Sequence, residues 1–194
     1  MEMDEEIYEV RWHGRGGQGV VTSSELLAIA ALREGKYVYN APEFGPERRG
    51  APVRAYTRIS KQPIELHSGI YNPDAVVVID PSLQGEVSYI TQGLKRGGLI
   101  VLNTTEPNEN ILKVARELNA AIWYVDAYSI AMEIFGRPFY NTPMLGAFVR
   151  ASGIVRLDTV LSVVTERFGK EPKLAEGNLN AIKRAFETVK KYEW

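Results

Sequence analysis

The chain has 194 residues, 45% hydrophobic and 24% charged, with 23 Lys and Arg against 24 Asp and Glu and a formal net charge of −1. That is enough chain for one buried α/β core and short for two ordinary domains, and so even a charge balance gives no support to a nucleic-acid-binding surface. There is no cysteine and there are two histidines, His13 and His67, which excludes disulfides and a cysteine-ligated cluster on this chain and argues against a zinc site or a Ser-His-Asp or Cys-His catalytic set.

The acidic start (Glu2, Asp4, Glu5, Glu6) reads as a solvated N-terminus. A strand-like segment (Ile7, Tyr8, Val10, Trp12) runs into Trp12-His13-Gly14-Arg15-Gly16-Gly17-Gln18-Gly19, and a helix is predicted from about Val20 to Glu34. Gly35 ends it, and Lys36 to Tyr39 reads as a short second strand. Asn40 to Pro52 is too rich in proline and glycine for regular structure. Val53 to Ile59 and Ile64 to His67 read as a hairpin closed at Ser60-Lys61-Gln62-Pro63. Ala75 to Ile79, between Asp74 and Asp80, is a β-branched run suited to a strand buried on both faces, and a helix is predicted after Pro81 to about Gly93.

Leu99 to Leu102 is another buried strand, after the Gly97-Gly98 turn. Glu109 to Leu118 is helical, with Ile111, Leu112, Ala115 and Leu118 on one face. A strand over Ala121 to Val125 and a helix over Ser129 to Phe135, stopped by Gly136, follow. Asn141-Thr142-Pro143-Met144-Leu145-Gly146 leads into an apolar stretch through Val149, and the last third is helical. There Leu157, Leu161, Val164 and Phe168 form one apolar face, and Ile182, Phe186 and Val189 another. This alternation predicts a single α/β domain over 1–194. Its architecture is a three-layer α/β/α sandwich with a mixed, mostly parallel sheet and a Rossmann-like first βα unit. No apolar run approaches the ~18 residues of a membrane span, and no signal-peptide pattern is seen, so a cytoplasmic location is expected.

Gly14, Gly16 and Gly19 fit the G-x-G-x-x-G spacing of a loop that brings backbone N–H groups to a phosphate. On that reading the first glycine allows the tight turn, the second the approach of the ligand, and the third close packing of helix on strand. Arg15 adds a permanent cation, Gly17 freedom, and Gln18 both a donor and an acceptor. The alternatives are a purely structural turn or a subunit contact. His13, beside the loop, either touches a ligand or is a satisfied structural residue. A dinucleotide site also requires an acid at the end of the second strand, about 20 residues beyond the loop; Asn40 stands there, with no acid before Glu43.

Glu43-Phe44-Gly45-Pro46-Glu47-Arg48-Arg49-Gly50 is the second unusual segment. Arg48 and Arg49 can grip a phosphate or carboxylate, Glu43 and Glu47 can pair cations, and Phe44 can anchor the loop or a neighbouring chain. A self-neutralising surface loop, a ligand contact and a subunit contact all remain open. Thr142-Pro143-Met144 either abuts a cofactor or starts a helix.

Gly14-Arg-Gly-Gly-Gln-Gly19, the Pro42–Pro52 loop and Asn141–Gly146, in this order and over almost the whole chain, resemble the gamma subunit of 2-oxoacid:ferredoxin oxidoreductases such as pyruvate:ferredoxin oxidoreductase. The resemblance implies a cytoplasmic multisubunit enzyme that decarboxylates a 2-oxoacid, pyruvate first among those considered, transfers the acyl group to coenzyme A and reduces ferredoxin. Thiamine diphosphate, Mg2+ and [4Fe–4S] clusters are implied on partner subunits of alpha, beta and delta type, with no catalytic residue and no metal on this chain. Gly14, Arg15, Gly16, Gly17, Gln18 and Gly19 are the implied contact for coenzyme A phosphates, and Thr142, Pro143 and Met144 a weaker one. Glu43, Phe44, Glu47, Arg48 and Arg49 are the expected interface. The competing readings are an independent NAD-type oxidoreductase and a non-catalytic scaffold.

Overall fold

The computed structural model describes residues 7–43 and 50–194; the acidic start lies outside them. The elements in chain order are β1 (Tyr8–Arg15), α1 (Val20–Arg33), β2 (Tyr37–Pro42), β3 (Pro52–Ser60), β4 (Ala75–Val78), a 3-10 turn (Pro81–Gly85), α2 (Val87–Thr91), β5 (Leu99–Asn103), α3 (Glu109–Leu118), β6 (Ala121–Val125), α4 (Ala127–Phe135), α5 (Asn141–Ser152), α6 (Leu157–Arg167), α7 (Pro172–Thr188) and β7 (Lys190–Lys191). The sheet runs β2-β3-β1-β4-β5-β6-β7. Its four central strands, β1, β4, β5 and β6, are parallel. β3 is antiparallel to both β1 and β2, and β7 to β6.

Strand alternation decides which helices go where. Val10 and Trp12 of β1, Val77 of β4 and Val101 of β5 face α1 and α4 to α7 in the larger core, where Trp12 meets Phe148 edge to face at 5.4 Å. Val76, Val78, Ile100, Leu102 and Ile122 face the 3-10 turn, α2 and α3 in the smaller one. Apolar residues on both faces explain why β4 and β5 read as unbroken runs. The helix ends are set by local chemistry: Asn108 Oδ1 accepts from Ile111 N at 2.9 Å and Asp126 Oδ1 from Ser129 N at 3.0 Å. A left-handed glycine closes α1 at Gly35 and α4 at Gly136. Between α5 and α7, a Cβ on Gly146 would collide with the Ile182 carbonyl oxygen, so this glycine sets how closely the helices pack.

Two expectations are corrected. The hairpin is made by β2 and β3 across the Glu43–Ala51 connection, and Ile64–His67 forms no strand. β3 already has a partner on each side, which leaves it no free edge for those residues. The segment after β3 instead caps Arg58, whose guanidinium donates to the carbonyls of Leu66, Ser68 and Gly69 at 3.3, 2.5 and 3.0 Å and to Glu9 Oε1 at 2.8 Å. The helix expected after Pro81 is broken into the 3-10 turn and the short α2, with Gly85, a weak helix former, at the break. No helix among the described residues is long and apolar enough to cross a membrane.

Candidate functional site

The chain leaves β1 on one side to build β3 and β2, and later returns on the other side to build β4 to β7. The carboxyl ends of β1 and β4 therefore flank the point where strand order reverses, the usual place for a ligand crevice in an open α/β sheet. The glycine turn leaves β1 there, and Asp80 and Ser82 follow β4 on the opposite bank, locked to it by Ile79 N donating to His13 O at 2.7 Å.

Gln18 N donates to Arg15 O at 3.1 Å and Gly17 has φ 88°, the form of a type II turn that only a residue tolerant of positive φ makes cheaply. Arg15 N donates to Gln18 Oε1 at 2.7 Å, and Gln18 Nε2 donates to Asp80 Oδ2. The glycines divide their roles differently from the sequence expectation. Gly14 provides the close strand–helix approach, since a Cβ there would collide with Val20 Cγ2. Gly19 makes the left-handed entry to α1 at φ 73°, with Asn141 Nδ2 2.6 Å from where its Cβ would stand.

Gly19 gives α1 no side-chain cap. The first-turn N–H groups of Val20, Val21 and Thr22 thus have no intrahelical acceptor and lie at the positive end of the helix dipole. On the turn that leads into this helix, the Arg15 guanidinium is held on Ser82 Oγ at 3.1 and 3.0 Å and on Gly50 O at 3.3 Å, with Asp80 Oδ1 3.6 Å away. Its side chain remains 32% exposed, so part of its donor fork is available to an anion. Asp80 is nearly enclosed. Burial pushes its carboxyl up, but hydrogen bonds from Ser82 and Gln18, together with the Arg15 charge, outweigh this and hold it below the ordinary carboxylate value. Its oxygens are occupied by Gln18 Nε2, Ser82 N and Ser82 Oγ, so it serves as the post that orients the turn.

Tyr140 and Asn141 complete the rim. Asn141 packs on Gly19, and its carbonyl accepts from Ser23 Oγ at 3.0 Å. Burial and the nearby Asp80 charge raise the Tyr140 phenol above its ordinary value. Asp80, Ser82 and Asn141 are the residues that sequence reasoning missed. Their signal was an Asp-Pro-Ser step after a buried strand and the asparagine opening a segment already singled out.

The other expected residues fall as follows. Thr142, Pro143 and Met144 are buried in the first turn of α5, with Thr142 Oγ1 donating to Asn178 Oδ1 at 2.7 Å; they pack in the interior, and this geometry gives no support to a ligand contact. Glu43 turns to Arg54, which donates to both its oxygens, 2.6 Å for Nη2 to Oε1, and holds its carboxyl below the usual value. Phe44, Glu47, Arg48 and Arg49 lie outside the described residues. The returning end of their loop joins the site, as Gly16 N donates to Ala51 O at 2.9 Å. His13 is fully buried and accepts from Arg11 Nε at 3.0 Å through Nε2. Burial and the charges of Arg11 and Arg54 keep it neutral, well below its ordinary pKa. Asn40 sits two strands from β1, with Nδ2 donating to Ser24 Oγ and Tyr56 O at 2.9 Å, where a dinucleotide site would need an acid. Among the described residues, no three His, Asp or Glu side chains converge as metal ligands.

The family model described as pyruvate ferredoxin/flavodoxin oxidoreductase matches residues 9–188. The chain belongs to this family. The pyruvate/ketoisovalerate oxidoreductases common subunit gamma of Thermococcus litoralis is 48% identical over 187 residues, covering 96% of this chain and 100% of that protein. Pyruvate synthase subunit PorC of Thermotoga maritima is 42% identical over 192 residues, covering 98% of each. The crystal structure of pyruvate oxidoreductase subunit PORC from Thermotoga maritima superimposes with a TM-score of 0.84 at 39% identity, covering 97% of this chain and 100% of that one. A 2-oxoglutarate:ferredoxin oxidoreductase from Magnetococcus marinus, solved with 2-oxoglutarate, coenzyme A and succinyl-CoA bound, shares the fold. Its TM-score is 0.74 at 21% identity, over 98% of this chain and 32% of that one. This chain is a gamma-type subunit of a multisubunit oxidoreductase.

Proposed function

We propose that this gamma-type subunit serves a pyruvate:ferredoxin oxidoreductase that makes acetyl-coenzyme A, and that its glycine turn holds the phosphates of coenzyme A. The observation that carries the enzyme assignment is the end-to-end match to gamma subunits whose names specify pyruvate. Thiamine diphosphate on a partner subunit supplies the electron sink for decarboxylation. Nothing in this chain fits that cofactor or a cluster: the sequence has neither a cysteine nor a Gly-Asp-Gly segment, and no step of the redox chemistry is assigned to its residues.

What the chain does is bind and orient. Coenzyme A carries a pyrophosphate and a ribose 3′-phosphate. The open first turn of α1 presents backbone donors to such groups, and the Arg15 guanidinium presents the adjacent charge. Asp80 and Ser82 fix Arg15 and Gln18 before the ligand arrives, so little ordering remains to be done on binding. Phe44, Glu47, Arg48 and Arg49 face the partner subunits of alpha, beta and delta type in this reading, and ferredoxin is the acceptor of the assembled enzyme.

A second reading is favoured by the bonds that Arg15 and Gly16 already make to Gly50 and Ala51, in which the turn only braces that loop against a partner. Arg15→Glu in the assembled complex separates the two. On the coenzyme A reading, KM for coenzyme A rises at least tenfold while the subunits stay together. An unchanged KM would eliminate the phosphate contact, and loss of assembly would favour the brace.

A further inference from the structure

Tyr128 and Val21 are exposed large apolar side chains in the first turns of α4 and α1, and Tyr128 is the aromatic one of the two. It stands in the first turn of α4, 51% exposed, at the same end of the sheet as the glycine turn. Its ring centroid lies 6.3 Å from that of Tyr140, at an interplanar angle of 46°. Tyr140, in turn, immediately precedes Asn141, which packs on Gly19, and lies within the field of Asp80. Three links thus join an exposed aromatic face to the anion-binding turn: Tyr128 to Tyr140, Asn141 to Gly19, and Asp80 to Gln18. The core does not account for Tyr128, because Ala127, Ile130 and Ala131 are the buried residues of this helix. At the same first turn of α4 the carboxyl ends of β5 and β6 open into a separate cavity of about 270 Å³, lined by Thr104, Asp126, Ser129, Ile130 and Lys190 among others, which Tyr128 does not line.

We propose that Tyr128 is the platform on which the adenine of coenzyme A stacks, with Tyr140 backing it and the phosphates reaching back to Arg15 and the first turn of α1. The inference rests on the coenzyme A reading and deepens it by naming the part of the ligand that confers selectivity. A purine presents a π-face and an aromatic side chain presents another; a tyrosine whose neighbour is already packed against it loses little freedom when the base arrives. The three elements are the ends of α1, α4 and α5, so one ligand would bridge helices that the sheet holds at fixed spacing.

The test uses the complete enzyme, assembled with its partner subunits, with Tyr128→Ala, Tyr128→Phe and Tyr128→Trp compared in KM for coenzyme A. Removing a base–aromatic stack raises KM on the order of tenfold, and the two aromatic replacements restore it. As a second readout, the Ki of adenosine 3′,5′-bisphosphate against coenzyme A rises in Tyr128→Ala by the same factor. An unchanged KM, an equal loss in Tyr128→Phe, or failure of Tyr128→Ala to assemble would each overturn the platform, the last in favour of a subunit contact. Arg15→Glu measured in parallel separates the two levels of the argument. If Arg15→Glu raises KM and Tyr128→Ala does not, only the stacking fails. If neither moves it, the coenzyme A reading fails as well.

Discussion

The buried imidazole of His13 makes this protein sensitive to acid by an amount that can be worked out. His13 is 0% exposed, its Nε2 accepts from Arg11, and Arg54 stands opposite it in the β1–β3 register. Protonation would remove that hydrogen bond and place a third cation beside two guanidiniums, so the folded pKa is driven well below 6.5. Because the folded value is depressed, the unfolded chain binds the proton first. The stabilisation is fully present above about pH 6.5 and is lost as the pH falls from there toward the folded pKa. Each pH unit crossed in that window, while the folded group is still neutral, costs about 1.4 kcal/mol. At 2–4 °C of melting temperature per kcal/mol for a chain of this size, that is a fall of about 3–6 °C for each pH unit crossed.

His13→Gln keeps an acceptor for Arg11 and cannot titrate. Guanidinium unfolding of the purified chain and of His13→Gln, taken from pH 7.5 to 4.5, should give curves that run together above pH 6.5 and diverge below it, with the variant the less acid-sensitive. Asp80, whose own lowered carboxyl loses its contribution only at lower pH still, is common to both and cancels in the difference. Parallel curves over the whole range would refute the argument that burial between two guanidiniums keeps this imidazole neutral.

Two further substitutions probe packing and assembly. Gly146→Ala forces a methyl against the Ile182 carbonyl and must push α5 from α7. It should cost about 1–3 kcal/mol in chemical denaturation, whereas Gly85→Ala, with open space around it, should be near neutral. Reversing both Arg48 and Arg49 to Glu should weaken association with the partner subunits, seen as loss of co-purifying chains.

Much of this was legible in the sequence, for identifiable reasons. The β4 run and the Glu109–Leu118 helix have one period each and one way to be satisfied, and both form where the pattern puts them. The glycine turn was legible because its positive φ values at Gly17 and Gly19 demand that residue. Ile64–His67 misled because local alternation carries no record of whether an edge is free, and β2 had already taken the one beside β3. The surroundings of Arg11 were not legible, since alternation shows which residues share a side but not what covers it. Arg11 is in fact buried under the carbonyls of Ile70, Ile90 and Gln92, which accept from it at 3.4, 3.2 and 2.6 Å. Asp80, Ser82 and Asn141 were missed as site residues because only the strand order brings the ends of β1 and β4 together, and only the packing of α5 sets Asn141 on Gly19.

The most direct test of the central claim is to recover this chain from its native cells by an affinity tag and analyse what accompanies it. The account predicts partner chains, iron and thiamine diphosphate, and a preparation that reduces a dye with pyruvate only when coenzyme A is present. A chain that emerges alone, without iron or thiamine, under conditions that keep comparable complexes intact would contradict it.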